Sequence, residues 1–453
     1  MNAPFPPGPQ FNVVETIARQ FIGKPRISNL NDMMDLLKPY DGIMYYKVGP
    51  FHIYFLWDPE LVHEAVVEQA PNFGKGFIVQ RSFGRLMGNG LFTSDGDFWK
   101  RQRKLMQPVF HSKRIESYAQ TMVEHTERML AQWGDKPLEI NDEMMKLTLS
   151  IVTKVLFNAD VSSDNDRIGD AMHALVEGLM NQSSGIVKIP AWLPTPNNLK
   201  ETRAINTLDT VIQRIIAQRR ASGEDTGDLL SMLLMARDED DSAMSDKQLR
   251  DESVTLFIAG HETTAVTLTW AWYLLSQHPE VEAKLRAELA QVLDERTPTV
   301  HDHLPYADMI IKETMRLYPP VPLIPRTVMN DTVVGGYRFV KNGGALFAAY
   351  AAHRNERYFP ESERFSPERW DDDFEKRIPR YAYFPFGGGP RVCIGNQFAL
   401  MEARLILATM AQRYRLSLTP GQTIEPMSFV SLRPKFGIQM QAHVHQNVPA
   451  IAE

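Results

Sequence analysis

The stretch Phe386-Gly387-Gly388-Gly389-Pro390-Arg391-Val392-Cys393-Ile394-Gly395 decides the reading of this chain, because it surrounds the single cysteine of 453 residues. A lone cysteine is ordinarily a small buried hydrophobe. Its neighbours here argue for chemistry. Three consecutive glycines let the backbone approach another group closely, and an arginine stands two residues before the thiol. Asn396 to Tyr414 then reads as an amphipathic helix, so the sulfur lies beside a helix N-terminus whose dipole and N–H groups favour a thiolate. A thiolate on iron pushes electron density toward O–O cleavage. Other readings of the glycines fail. They do not continue to the Gly-Lys-Ser/Thr of a phosphate loop, and Val392 stands where a dinucleotide fingerprint needs its third glycine.

The chain is long enough to bury a large core. Its composition is that of an ordinary globular protein, 43% hydrophobic and 23% charged. A net charge of -6 gives no support to nucleic-acid binding. One cysteine excludes an internal disulfide and with it a disulfide-stapled secreted scaffold, so a reducing, cytoplasmic setting is expected. The N-terminus, Met1-Asn-Ala-Pro-Phe-Pro-Pro-Gly-Pro-Gln10, lacks the basic start and apolar run of a signal peptide and reads as an extended proline-rich lead-in. The most apolar long stretch, Thr255 to Leu275, carries His261, Glu262 and several threonines. Those groups would be costly in lipid and suit a helix buried in protein.

Helical periodicity dominates: Ser112–Trp133, Glu139–Phe157, Asn198–Arg220 and Pro279–Leu293 repeat apolar residues at three- and four-residue spacing. Ser245-Asp-Lys-Gln248 has the form of a capping box, and a helix from there to Gln277 would span ~48 Å at ~1.5 Å per residue. Strand-like stretches are few. Gly42–Trp57, broken by Gly49-Pro50, reads as a hairpin; Asp331–Phe347 holds turns at Gly335-Gly336 and Gly343-Gly344; Ser417–Val444 adds short β segments. The acidic run Asp238–Asp241 reads as a solvated loop, and His443 and His445 as loop residues. No repeat or Gly/Ser linker divides the chain, so one mainly α domain with a minor β part over 1–453 is expected, with a flexible tail from 443 to 453.

With these residues in view, the chain resembles the cytochrome P450 superfamily. Phe386 to Gly395 matches its haem-binding signature, Phe-x-x-Gly-x-Arg-x-Cys-x-Gly, at every fixed position. Glu313-Thr-Met-Arg316 matches the family's Glu-x-x-Arg motif, and Phe365-Ser-Pro-Glu-Arg369-Trp matches the segment that partners it. Ala259-Gly-His-Glu-Thr263-Thr matches the oxygen-activation motif of the long central helix, and Trp99-Lys-Arg-Gln-Arg103 a haem-propionate motif on an early helix. A zinc-protease reading of His261-Glu262 fails, since Ala265 stands where a second histidine is needed. The resemblance covers essentially the whole chain. It implies the P450 fold, with a long central helix over the haem and the cysteine loop and following helix beneath it.

The resemblance also implies roles. Cys393 would be the axial ligand of haem b (iron protoporphyrin IX), in a loop from Phe386 to Gly395. Trp99, Arg103, Arg326 and Arg391 would bind the haem propionates. Glu313, Arg316 and Arg369 would form a buried structural triad. Glu262 and Thr263 would relay protons during oxygen activation, while Ala259 leaves room for oxygen and substrate. Phe92, Val321, Leu323 and Ile324 would line a lipophilic pocket, and Phe51-His-Ile-Tyr-Phe55 offers no arginine to hold a carboxylate. The implied reaction is NAD(P)H-driven insertion of one atom of O2 into a C–H or C=C bond of a fatty acid, terpenoid, steroid or similar molecule. Without a flavin or iron–sulfur segment, electrons would come from a separate ferredoxin and its reductase or a flavodoxin-type donor. Lys100, Arg101, Arg103, Lys104, Lys113 and Arg114, with no acid among them, would draw that donor to a monomer. The alternatives are a peroxide-using peroxygenase or isomerase, whose relatives commonly replace the acid–threonine pair, and a non-enzymatic haem sensor, which would need an effector segment.

Overall fold

A computed structural model describes residues 3–10, 29–158, 167–169, 171, 174–175, 193–238, 240–428 and 431–445. In chain order the longer helices and the strands are α1 (Leu30–Leu37), β1 (Ile43–Val48), β2 (Phe51–Leu56), β3 (Phe73–Gly74), α2 (Gly76–Met87), α3 (Gly96–Met106), α4 (Ala119–Leu130), β4 (Leu138–Glu139) and α5 (Ile140–Phe157). There follow α6 (Pro196–Ser222), α7 (Asp246–Gln277), α8 (Pro279–Leu293), α9 (Pro305–Leu317), β5 (Ile324–Val328), β6 (Thr332–Val334), β7 (Tyr337–Phe339) and β8 (Gly344–Phe347). The last are α10 (Asn396–Arg413), β9 (Tyr414–Leu418), β10 (Pro426–Ser428), β11 (Leu432–Pro434) and β12 (Gln439–Val444). The fold is mainly α with a minor β part, as the periodicities predict. Two compact units emerge, and neither is a contiguous piece of chain.

The first unit comprises Met1–Val109, Thr153–Ile258 and Ile324–Ala348. Its five-stranded sheet runs β1-β2-β8-β5-β3. The expected hairpin is β1–β2, with Tyr45 opposite Tyr54 and Gly49-Pro50 at the turn. Gly335-Gly336 turns β6 into β7, whereas Gly344 opens β8, which pairs in parallel with β2 and antiparallel with β5. Aromatic packing holds the sheet face, Tyr54 stacking on Phe339 at 4.2 Å. The proline-rich lead-in is tied down: the Tyr45 and Arg338 N–H groups donate to Pro7 O and Pro4 O, and Phe5 stacks on Tyr45. Asp246, the first residue of α7, follows a reciprocal capping box. The Gln248 N–H donates to Ser245 Oγ at 3.3 Å, and the Ser245 N–H to Gln248 Oε1 at 2.8 Å.

The second unit comprises Phe110–Val152, Ala259–Leu323 and Ala349–Glu453. At its centre is α10, packed by α4, α8 and α9 and buried on nearly every side from Phe398 to Ala411. This corrects the amphipathic reading: Ala403, Ala408 and Ala411 sit at positions that would otherwise face water, small enough to admit neighbouring helices. The stretch expected as one helix from Ser112 to Trp133 is broken at Tyr118 into Ser112–Ser117 and α4. Along α7, Thr267 and Thr269 donate back to carbonyls one turn earlier, which satisfies their hydroxyls inside the core. Trp270 stacks on Tyr318 at 4.0 Å, and its indole N–H donates to Leu432 O. The expected tail is corrected at its start. His443 and Val444 complete β12 opposite Arg415 and Tyr414, where backbone pairing satisfies groups a free tail would leave to water. Residues 446–453 lie outside the described ones.

Candidate active site

Cys393 is exposed, three residues before α10. The loop that presents it is closed by backbone bonds. The Cys393 N–H donates to Phe386 O at 3.0 Å, Gly387 N–H to Phe384 O at 3.0 Å, and Val392 N–H to Gly389 O at 3.2 Å. Gly389, at φ 61, takes a left-handed conformation that a side chain would resist, and its N–H donates to the Tyr381 hydroxyl at 3.1 Å. A Cβ on Gly388 would lie 2.2 Å from the Tyr381 ring, so glycine is demanded by close approach there. Among the described residues no three His, Cys, Asp or Glu side chains are placed to hold a bare metal ion. One exposed thiol beside a helix N-terminus fits a metal that brings its other ligands with it, as haem iron does.

Behind this loop lies a buried ion pair. Glu313 and Arg316, one turn apart on α9, are both fully buried. They meet side-on, Nε to Oε2 and Nη2 to Oε1, each at 2.8 Å. Arg369 reaches Glu313 Oε1 at 3.5 Å, which assembles all three residues of the expected triad. Two further donors to Glu313 escaped the sequence reading: Trp370 Nε1 at 2.9 Å and the Ser366 N–H at 3.0 Å. Arg316 also donates to the carbonyls of His353, Ser362 and Arg364. His353 continues the line, its Nε2 accepting the Phe384 N–H at 2.9 Å. Burial, then the charges of Arg316 and Arg354, push the His353 pKa down to about 3, so the ring is neutral and can accept. A bonded path therefore runs from Arg316 through His353 and Phe384 to the cysteine loop.

In α7 every residue from Asp251 to Trp272 is buried except at one place: Ala259 is exposed, and Ile258, Gly260 and Thr263 are half-buried. Ala259 and Thr263, four residues apart, share a helix face. The Thr263 hydroxyl donates to Ala259 O at 2.8 Å. Glu262 leaves the helix elsewhere. Its Oε1 accepts Arg433 Nε at 2.9 Å and the Ser431 hydroxyl, so the structure does not bring Glu262 and Thr263 side chains together. Neither Arg433 nor Ser431 carries a local motif. Glu402 on α10, also missed, is fully buried with its carboxyl pushed up to about 8 by burial, Thr264 beside it pulling the other way.

The remaining expected site residues fall as follows. Trp99 and Arg103 are half-buried on α3; Arg391 is half-buried in the cysteine loop. Arg326 is buried in β5, Nη1 donating to Pro325 O, and so is no surface arginine. Phe92 packs edge-on against Phe83, with Lys75 Nζ 4.2 Å over its ring. Val321, Leu323 and Ile324 are half-buried around a buried Pro322. The basic stretch is less basic than its sequence suggests: Arg101 pairs with Asp238 at 2.6 Å and Lys100 with Asp97 at 2.9 Å. Asp238 is accordingly no merely solvated loop residue, and the side chains of Lys113 and Arg114 lie outside the described ones.

Comparison with known proteins agrees with this geometry. A family-wide profile described as Cytochrome P450 matches residues 6–441. Cyclooctatin synthase of Streptomyces melanosporofaciens is 37% identical over 404 residues, covering 87% of each chain. Cyclooctat-9-en-7-ol 5-monooxygenase of the same organism is 36% identical, covering 86% of this chain and 85% of its own. Pentalenene oxygenase of Streptomyces avermitilis is 32% identical, covering 88% and 89%. No helix among the described residues is long and apolar enough to cross a membrane. An exposed cysteine on a glycine loop braced by a buried Glu-x-x-Arg pair, with a profile match over nearly the whole chain, places this protein in the cytochrome P450 family as a monooxygenase.

Proposed function

We propose that this monooxygenase oxidises a cyclic, largely hydrocarbon substrate of the terpenoid kind, with Cys393 as the axial haem ligand. The observation that carries the ligand assignment is the exposed thiol on a loop bonded back, through His353, to the buried Glu313–Arg316 pair. Haem, when bound, supplies the splitting of O2 and the insertion of one oxygen atom, with electrons drawn from NAD(P)H through separate ferredoxin- or flavodoxin-type proteins.

The chain's own residues do the rest. The triad holds the cysteine loop in place, and Arg391 lies two residues before the thiol for a propionate. Trp99, Arg103 and Arg326 are assigned to the propionates on the family resemblance alone. At the opening of α7, Ala259 leaves space and the Thr263 hydroxyl is the group placed to hold or pass a proton. Glu262 can join only by leaving Arg433. Substrate class rests on two supports. Phe92, Val321, Leu323 and Ile324 are apolar, and the relatives are named for pentalenene and cyclooctat-9-en-7-ol, an alkene and an alkenol by name. β2 itself carries no arginine or lysine to hold the carboxylate of a free acid.

The test is a spectral titration of the haem-loaded protein with cyclic alkenes and alkenols against free fatty acids of matched carbon number. Low-to-high-spin conversion by the cyclic compounds is expected. Conversion by the fatty acids alone would overturn the substrate class.

A further inference from the structure

Away from the cysteine loop, Glu252 on α7 is a fully buried carboxylate that accepts hydrogen bonds from two neutral donors. Oε2 accepts the Leu91 N–H at 2.8 Å, and Oε1 accepts Gln102 Nε2 at 3.0 Å. Leu91 precedes Phe92 in the segment joining α2 to α3, while Gln102, also fully buried, precedes Arg103 on α3. The loop is pressed on α7 at this point: a Cβ on Gly90 would come within 2.2 Å of Thr255 Oγ1. We infer that Glu252 is a positioning residue, a buried carboxylate that ties the loop carrying Phe92 to the helix carrying Trp99 and Arg103 and gives up its bond to the loop, at the Leu91 N–H, on taking a proton. What this does to the active site rests on the roles given above to Phe92, Trp99 and Arg103.

The hydrogen-bond inventory makes the device two-state. An ionised carboxylate has an acceptor for each N–H; a protonated one turns one oxygen into a donor aimed at a donor. Gln102 could answer by flipping its amide. Its own carbonyl oxygen, however, faces Arg101 Nη1 at 3.3 Å, and a flip breaks that contact. Of the ionisable groups around Glu252, Asp251 beside it on α7 favours the protonated form and is itself held by Lys247 and Arg250. On α3, Arg101 is paired with Asp238, and on the loop the Asp95 carboxylate takes the N–H groups of Lys75 and Gly76. Burial is therefore the largest influence, pushing the carboxyl up to about 7, so the change falls near neutral pH. A buried charge without a paired cation lowers stability, and such groups cluster at functional sites.

The experiment measures amide hydrogen exchange at Leu91 in the haem-loaded protein on either side of pH 7, corrected for the intrinsic pH dependence of exchange. In the wild type, exchange should be about tenfold faster on the acid side, the loss of one charged hydrogen bond. Glu252→Gln should exchange at the fast level at both pH values. Gln102→Leu should stay slow at both, because the protonated acid can then turn its O–H away from Leu91; this variant serves if the first folds poorly. The same pH step should shift the imidazole dissociation constant, read from the Soret band and corrected for the protonation of free imidazole across the step, in wild type and not in Glu252→Gln. A pH-independent Leu91 amide, a response that survives Glu252→Gln, or an imidazole affinity indifferent to the step would each overturn the proposal. A carbon monoxide difference spectrum taken alongside tests the haem-thiolate assignment separately.

Discussion

Replacing Cys393 by histidine exchanges a thiolate for an imidazole, which donates less electron density to iron. The variant should still take up haem but lose the thiolate-type carbon monoxide spectrum; an unchanged spectrum would remove Cys393 from the iron. Thr263→Ala deletes the hydroxyl at the open face midway along α7 and should leave spectral substrate binding near wild type. Product per NAD(P)H should fall and hydrogen peroxide rise, with the rate of product formation down by ~10²–10⁴, the usual cost of losing a positioned proton donor. Equal coupling in mutant and wild type would clear Thr263 of that role. Both residues were legible in the chain because their neighbours announce them: glycines and an arginine at Cys393, an acid amid apolar helix residues at Thr263. Glu252 and Glu402 were not. Each stands beside other charged residues, Glu252 after Arg250 and Asp251 and Glu402 two before Arg404, so each reads as part of an ordinary solvated helix face.

At the scale of the element, α9 and the segment from His353 to Trp370 form one braced structure. Arg316→Ala would strip Glu313 of two of its five hydrogen bonds and leave a fully buried charge short of a cation. A loss of about 3–5 kcal/mol in denaturant unfolding is expected, together with poor haem retention. Trp370→Phe keeps the ring and removes one charge-assisted bond, so its cost should be smaller, about 1.5–3 kcal/mol. If both variants unfold with wild-type midpoints, the brace contributes nothing. The motif predicted the pair and Arg369, but not Trp370, Ser366 or His353. The first two lie in the very segment that carries Arg369, yet nothing in their spacing says which of its side chains turns inward. Element boundaries divided in the same way. The start of α7 could be read because its capping box is local, whereas the break at Tyr118 and the all-round burial of α10 come from packing.

At the scale of the whole molecule, buried titratable groups couple stability to pH. Glu402 is raised to about 8 in the fold from an ordinary 4.5, with burial as the largest cause. The folded state therefore holds its proton more tightly, so the stabilisation is complete below about 4.5 and is lost as pH rises through about 8. The melting temperature should fall between mildly acid and alkaline pH, and Glu402→Gln, which cannot ionise, should flatten that limb. A variant that tracks the wild type across the range would show that Glu402 is reached by water. His353 acts with the opposite sign: its contribution is present above its ordinary 6.5 and is lost as pH falls toward about 3.

What is encoded within a few consecutive residues can be read directly from the chain. That includes the cysteine loop with its close-packed glycine, the Glu-x-x-Arg pair one helix turn apart, the capped start of α7, and the preponderance of helix. Which distant group each buried polar side chain meets depends on long-range packing. Glu262 is held by Arg433, 171 residues further on, and Glu252 by Gln102, 150 residues back. Local spacing constrains neighbours one turn or one strand away. A buried donor or acceptor must instead be satisfied by whatever packing brings within about 3 Å, and that is a property of the folded chain.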